Sequence, residues 1–277
     1  MINLTETIVQ TVVNKRPKQS HKGTFGKILI VAGDKNLGGA AIMNAQAAVY
    51  AGAGLVTVAT DSVNKTAIHS RLPEAMVIDY HSDFTKLLES VDVVLIGSGL
   101  GESIDVLKKV LNKTKDEQVV ILDGSALTLM ASYQLPLPAG QIVLTPHQME
   151  WQRFGEVPIA DQDKEDNNWE ALVSMNPEPI LVLKSDQTQV YLENEVYQLT
   201  VGGPYQATGG MGDTLAGIIA TFAGQFHPLG QAVLAAVYTH SAIAAELAKT
   251  NYVTLPTAIA KQLPQYMKKM AEQEPHL

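Results

Sequence analysis

Short apolar runs alternate with longer amphipathic or Ala-rich stretches over most of the chain. Ile28–Ala32, Leu55–Ala59, Val91–Ile96, Val119–Leu122, Ile142–Leu144 and Ile180–Leu183 are apolar but for Thr57 and Asp92, the pattern of strands buried on both faces. Between them the spacing predicts helices over Ala40–Ala53, Val63–Arg71, Asp83–Glu89, Ile104–Lys115 and Ser125–Ala131, and a short strand at Val77–Asp79. A short amphipathic helix over Thr5–Asn14 precedes them. The polar stretch Pro158–Asn168 predicts an exposed loop entering a helix that ends at Met175. Val190–Leu192 and Val196–Leu199 flank Glu193-Asn194-Glu195 as a hairpin. Helices follow over Thr214–Ala223, Leu229–Thr250 and Pro256–Glu272. Alternating β and α, a hairpin and a helical tail predict one α/β domain over residues 1–277, with a mainly parallel sheet flanked by helices.

Composition narrows the function classes. The 277 residues are 46% hydrophobic, enough for a substantial core. A net charge of −8 makes nucleic acid and anionic membranes poor partners. There is no cysteine, which excludes disulfides, thiolate-bound zinc and thiol catalysis. No stretch reaches the roughly 18 uncharged apolar residues of a membrane span, and the first residues lack the apolar core of a signal peptide. The expectation is a soluble, cytoplasmic protein.

Candidate chemistry concentrates in Gly202–Gly224, where a Gly-rich segment runs into an apolar helix. Gly209, Gly210 and Gly212 free the backbone for an anion site at the helix start. Asp213 in the first turn is then either a helix-start residue or a chemical group, because a carboxylate among donors for a negative ligand costs repulsion. The dipole predicts an Asp213 more acidic than free Asp, whose pKa is about 3.9. Four strand-end loops carry Gly or polar signals, 97–101, 145–150, 184–188 and 209–213, and can converge on one edge of the sheet.

Several further residues stand open between two roles. Asp123 is an N-cap for Ser125–Ala131 or a carboxylate near a metal or ligand, and His147, at a strand-to-helix junction, points to a ligand contact. Gly39, Ala40 and Ala41 permit close approach of either a ligand or a strand. The basic stretch Lys15–Lys27 is a solvated linker or a phosphate-attracting rim, with the linker favoured. His240, amid apolar positions, is expected to be a satisfied core histidine.

Taken in order, Ser20–Gly26, Gly39-Ala40-Ala41, Ala51–Thr57, Gly97–Gly101, Leu122-Asp123, Thr145-Pro146-His147 with Glu150, Leu183-Lys184 with Thr188, and Ala207–Asp213 with Gly217 span almost the whole chain. In this combination the chain resembles the ADP/ATP-dependent NAD(P)H-hydrate dehydratases, the YjeF C-terminal domain family. It departs from the family pattern at Ser98, Gly124-Ser125, Gln148-Met149 and Ser185. The resemblance implies a ribokinase-like, three-layer α/β/α fold. It implies removal of water from hydrated NADH and NADPH (NADHX and NADPHX), driven by ADP or ATP with Mg²⁺. Asp213 is implied as the catalytic base, with Ala40, Gly99, Gly101, His147 and Asp213 lining the hydrate site. Lys184, Ser185, Asp186, Gln187 and Thr188 are implied to bind the nucleotide, with Gly210, Met211 and Gly212 holding the phosphoryl group. A homo-oligomer and a separate epimerase acting on the same substrate are further implications. The alternatives are a kinase of the same fold acting on a vitamin-type alcohol such as hydroxymethylpyrimidine or hydroxyethylthiazole, and a nucleotide sensor without turnover.

Overall fold

A computed structural model of the chain describes residues 1–273. Among these, ten strands build one sheet: β1 (Ile2–Leu4), β2 (Lys27–Val31), β3 (Leu55–Thr60), β4 (Met76–Asp79), β5 (Val93–Ile96), β6 (Val119–Leu122), β7 (Gln141–Leu144), β8 (Ile180–Leu183), β9 (Gln189–Leu192) and β10 (Glu195–Leu199). Their spatial order is β1-β10-β9-β8-β7-β6-β5-β2-β3-β4. Every neighbouring pair from β8 to β4 is parallel, and β8-β9-β10 is an antiparallel meander. β1 adds to the outer edge, parallel to β10. The apolar pattern does not reveal β1, because three residues carry no period; only their pairing with Tyr197–Leu199 makes them a strand.

The helices are α1 (Thr7–Val12), α2 (Gly38–Tyr50), α3 (Lys65–Arg71), α4 (Thr85–Leu88), α5 (Ile104–Leu111), α6 (Ser125–Tyr133), α7 (Gln148–Phe154), α8 (Glu165–Val173), α9 (Met211–Gln225), α10 (Leu229–Ala248) and α11 (Pro256–Glu272). Successive strand residues point to opposite faces, and the core divides accordingly. Ile28, Ile30, Val93 and Leu95 pack with α1, α2, α9, α10 and α11. Leu29, Val31, Val94 and Ile96 pack with α5, α6, α7 and α8. Two covered faces explain the apolar strands and give three layers, α/β/α. Among the described residues no helix is long and apolar enough to cross a membrane.

Helix α9 is the axis of one layer, with Thr214–Ala223 all buried. It crosses α2 at Gly217, where a Cβ would meet the Asn44 carbonyl and lie 2.8 Å from Ala47 Cβ. Thr221 Oγ1 donates to Ala48 O at 3.2 Å across the same contact.

One polar stretch departs from expectation. Within 158–168, Gln162 and Asn168 are buried rather than exposed. Asn168 tolerates this because its amide is fully engaged. It accepts from Trp151 Nε1 at 2.8 Å and donates to Tyr191 OH at 2.7 Å and Gln162 O at 2.8 Å.

Candidate active site

The carboxyl ends of β5, β6, β7 and β8 lie side by side, and the loops leaving them build the site, as open α/β sheets do. The β5 loop closes against the start of α2 at Gly99. Its φ is +61°, and a Cβ there would lie 2.7 Å from Ala40 Cβ and 2.9 Å from Leu37 O. Past the end of the β7–β8 ladder, His147 and Lys184 still pair as a parallel bridge, with Lys184 N donating to Pro146 O at 2.8 Å. Helix α9 begins from Gly210 at φ +93°, where a side chain would strike Met43. Helix geometry leaves the amides of Met211, Gly212 and Asp213 without intrahelical partners.

Two cavities meet at this helix start. The larger, about 960 Å³, is lined by Gly39, Ala40, Met43, Gly99, Gly101, Glu150 and Asp213, with α6 supplying Ser125, Thr128 and Tyr133. The smaller, about 590 Å³, is lined by Lys184, Ser185, Asp186, Thr188, Met211, Gly212 and His240, with Val201–Pro204 and Gln206 opposite. Gly212 faces one and Asp213 the other.

A buried charge cluster lies beneath. Asp123, only 2% exposed, accepts from Ser98 Oγ at 2.7 Å, Thr145 Oγ1 at 2.8 Å and Lys184 Nζ at 3.0 Å. Burial alone would raise its pKa; Lys184 and the hydroxyls outweigh that and hold the carboxyl below its ordinary value. Burial would likewise push the Lys184 ammonium down, but Asp123 and Glu150 hold it above the usual lysine range. Asp213 goes the other way. Burial, reinforced by the Asp123 and Glu150 charges and only partly offset by Lys184, pushes it up to about 7. This corrects the expectation from the helix dipole: desolvation and two neighbouring carboxylates outweigh one helix end.

Of the residues implied for the hydrate site, Ala40, Gly99, Gly101 and Asp213 share the larger cavity; His147 lines neither. Its imidazole caps α7: Nδ1 accepts from Glu150 N at 3.2 Å, while His147 N donates to Glu150 Oε2 at 2.8 Å. Of those implied for nucleotide and phosphoryl contact, Lys184, Ser185, Asp186, Thr188, Met211 and Gly212 share the smaller cavity. Gln187 turns to Gln198, whose Nε2 donates to it at 2.7 Å, and Gly210 supplies the helix cap. Asp123 makes no side-chain cap to α6.

The basic stretch sits at the other end of the sheet, where Arg16 stacks over Phe25 at 3.8 Å and donates to Gln225 Oε1 at 3.0 Å, near the end of α9. It is not a rim of these cavities. His240 is buried as expected but not satisfied: Nε2 has no partner among the described residues, and burial with the Lys184 charge lowers its pKa to about 4. Sequence reasoning passed over Met43 and Asn44. Met43 lies three residues after Ala40, hence on the same helix face, and Asn44 Nδ2 donates to Asp213 O at 2.6 Å.

The family model described as NAD(P)H-hydrate dehydratase matches residues 28–265. The chain belongs to the NAD(P)H-hydrate dehydratase family. Within it, the chain is 50% identical over 276 residues to the ADP-dependent (S)-NAD(P)H-hydrate dehydratase of Lactiplantibacillus plantarum, covering 98% of each chain. Its fold is similar to a ribokinase-like superfamily protein from Enterococcus faecalis, with TM-score 0.95, 43% identity, and 99% and 97% of the two chains covered. It is also similar to the ADP/ATP-dependent NAD(P)H-hydrate dehydratase of Bacillus subtilis co-crystallised with ATP and Mg²⁺, with TM-score 0.84, 28% identity, and 97% and 98% covered. The ribokinase-like fold expected from the resemblance is thereby established for this family member.

Proposed function

We propose that this protein uses ADP to dehydrate NADHX and NADPHX back to NADH and NADPH. The observation that carries this is the division at the start of α9, where donor amides face one cavity and a carboxylate of raised pKa faces the other. ADP lies in the smaller cavity with its phosphates toward Met211, Gly212 and Lys184. The hydrate lies in the larger one with its added hydroxyl at Asp213. The hydroxyl oxygen attacks the terminal phosphorus, its proton passes to Asp213, and the bond to the bridging oxygen breaks to release AMP. Loss of phosphate from the ring carbon and of a proton from its neighbour restores the ring double bond. Asp213 suits this task, since a base works best when its pKa lies near the working pH.

Among the described residues no three His, Asp or Glu side chains converge as a metal cage. That fits Mg²⁺ held chiefly by phosphates and water, with Glu150, which lines the larger cavity, as the nearby carboxylate. When bound, the ion offsets phosphate charge.

ADP is favoured as donor because the relative at 50% identity is named ADP-dependent. That relative's (S) designation also supports a separate epimerase as a partner activity on the same hydrate. Incubating the protein with Mg²⁺, ADP and hydrated NADH should release AMP, phosphate and reduced nicotinamide in equal amounts. Phosphorylation of hydroxymethylpyrimidine without nicotinamide recovery would contradict the proposal.

A further inference from the structure

Asp123 is not among the residues lining either cavity, yet it has three side-chain donors, and they come from three different loops. Ser98 follows β5, Thr145 follows β7 and Lys184 follows β8; Asp123 itself follows β6, which lies between β5 and β7. The parallel order of these strands brings four loop residues to one buried carboxylate. The two hydroxyls occupy Oδ2 and Oδ1 and leave the carboxylate no freedom to rotate.

What this carboxylate holds is Lys184. The ammonium donates to Asp123 Oδ1 at 3.0 Å and has no second hydrogen-bond partner among the described residues. A lysine ammonium carries three donors, so two remain available. Lys184 lines the smaller cavity, and a Cβ on Gly212 would lie 3.1 Å from its Nζ. The charge therefore sits against the helix turn whose amides are free. Glu150 and Asp213, the other carboxylates acting on Lys184, line the neighbouring cavity.

We propose that Asp123 is a positioning residue for the phosphoryl step, an inference that rests on the dehydratase reading above. It accepts one N–H of the Lys184 ammonium and so aims the other two at the phosphoryl group in transit between the cavities. Ser98 and Thr145 fix Asp123 in turn. A stabilising role explains the cluster less well, since buried ion pairs are on balance poor stabilisers, whereas a long flexible lysine stem needs an anchor to act at a fixed point.

The test compares wild type, Asp123→Asn, Lys184→Met and the double variant, with hydrated NADH, ADP and Mg²⁺. Asp123→Asn should lower kcat by about 10²-fold, the effect of a misplaced catalytic group, with the KM for the hydrate unchanged. Lys184→Met should lose at least as much and melt at a lower temperature, because it leaves a buried carboxylate unpaired. The double variant should regain melting temperature but show no further loss of kcat, since Asp123 acts through Lys184. Should Asp123→Asn fail to fold, Thr145→Val removes one of the fixing donors and should lower kcat by about tenfold at unchanged hydrate KM. A wild-type kcat in Asp123→Asn or Thr145→Val overturns the inference, as does a double-variant loss equal to the product of the single losses. Absence of turnover in the wild type would instead overturn the reading of the site itself.

Discussion

Gly212 and Asp213 are consecutive residues in the first turn of α9, and they face different cavities. On the function proposed above, the peptide between them is the boundary across which the phosphoryl group passes. The acceptor side of that boundary holds a carboxylate whose pKa is pushed up to about 7 by burial and by the Asp123 and Glu150 charges. As the proposed base, Asp213 works only when ionised. The acid limb of kcat/KM against pH should therefore fall near 7, rather than near the free-Asp value of about 3.9. A limb near the free-Asp value would show that another group is the base.

The same shift makes Asp213 a liability for folding. Its folded pKa is raised to about 7, while the unfolded chain titrates near 3.9. Between those values the folded state keeps a proton that the unfolded state releases, so stability falls as pH rises through the window. Asp213→Asn removes the penalty and should stabilise the protein at pH 8 by about 1–2 kcal/mol, less than the full linkage value because the side chain is partly open to the cavity. Urea denaturation checks this: the gain should be present at pH 8 and vanish near pH 4. A variant destabilised at pH 8 would contradict it.

The larger cavity predicts a selective defect. Gly99 holds φ +61° and packs against Ala40 Cβ, so Gly99→Ala adds both strain and bulk to the wall of the proposed hydrate site. Overpacking of this kind costs about 1–3 kcal/mol. Steady-state kinetics should show the KM for the hydrate rising about tenfold or more, with ADP affinity unchanged by calorimetry. An equal loss on both substrates would show that the two cavities are not separate sites.

Much of the fold was legible because burial on both faces writes an unambiguous signal. The apolar runs at β2, β3, β5, β6, β7 and β8 and the helical tail lie where the pattern places them. What pattern could not show depends on partners distant in sequence. β1 exists through Tyr197–Leu199, and Asn168 is buried because Trp151 and Tyr191 complete its hydrogen bonds. The site divides the same way. Gly-rich spacing pointed to the start of α9 and to the loops that meet there. The Asp123 cluster, the raised pKa of Asp213 and the unpartnered His240 depend on which charges and donors the sheet order brings together, and local sequence does not encode that.

The Asn168 network carries a stability prediction independent of the site. Asn168→Ala strands the Trp151 indole N–H in the core and should cost about 1–3 kcal/mol, lowering Tm by about 2–4 °C per kcal/mol for a chain of this size. Turnover per folded molecule should not change. Thermal unfolding at wild-type Tm would show that the network contributes nothing.

The most direct measurement puts wild type and Asp213→Asn side by side, following recovery of reduced-nicotinamide absorbance from hydrated NADH with Mg²⁺ and ADP, and ADP affinity by calorimetry. The account predicts ADP-dependent recovery in the wild type. In the variant it predicts loss of recovery with ADP affinity retained, because Gly212 and Lys184 still line the smaller cavity, the proposed nucleotide site. Near-normal recovery in Asp213→Asn, or no recovery in the wild type, would contradict it.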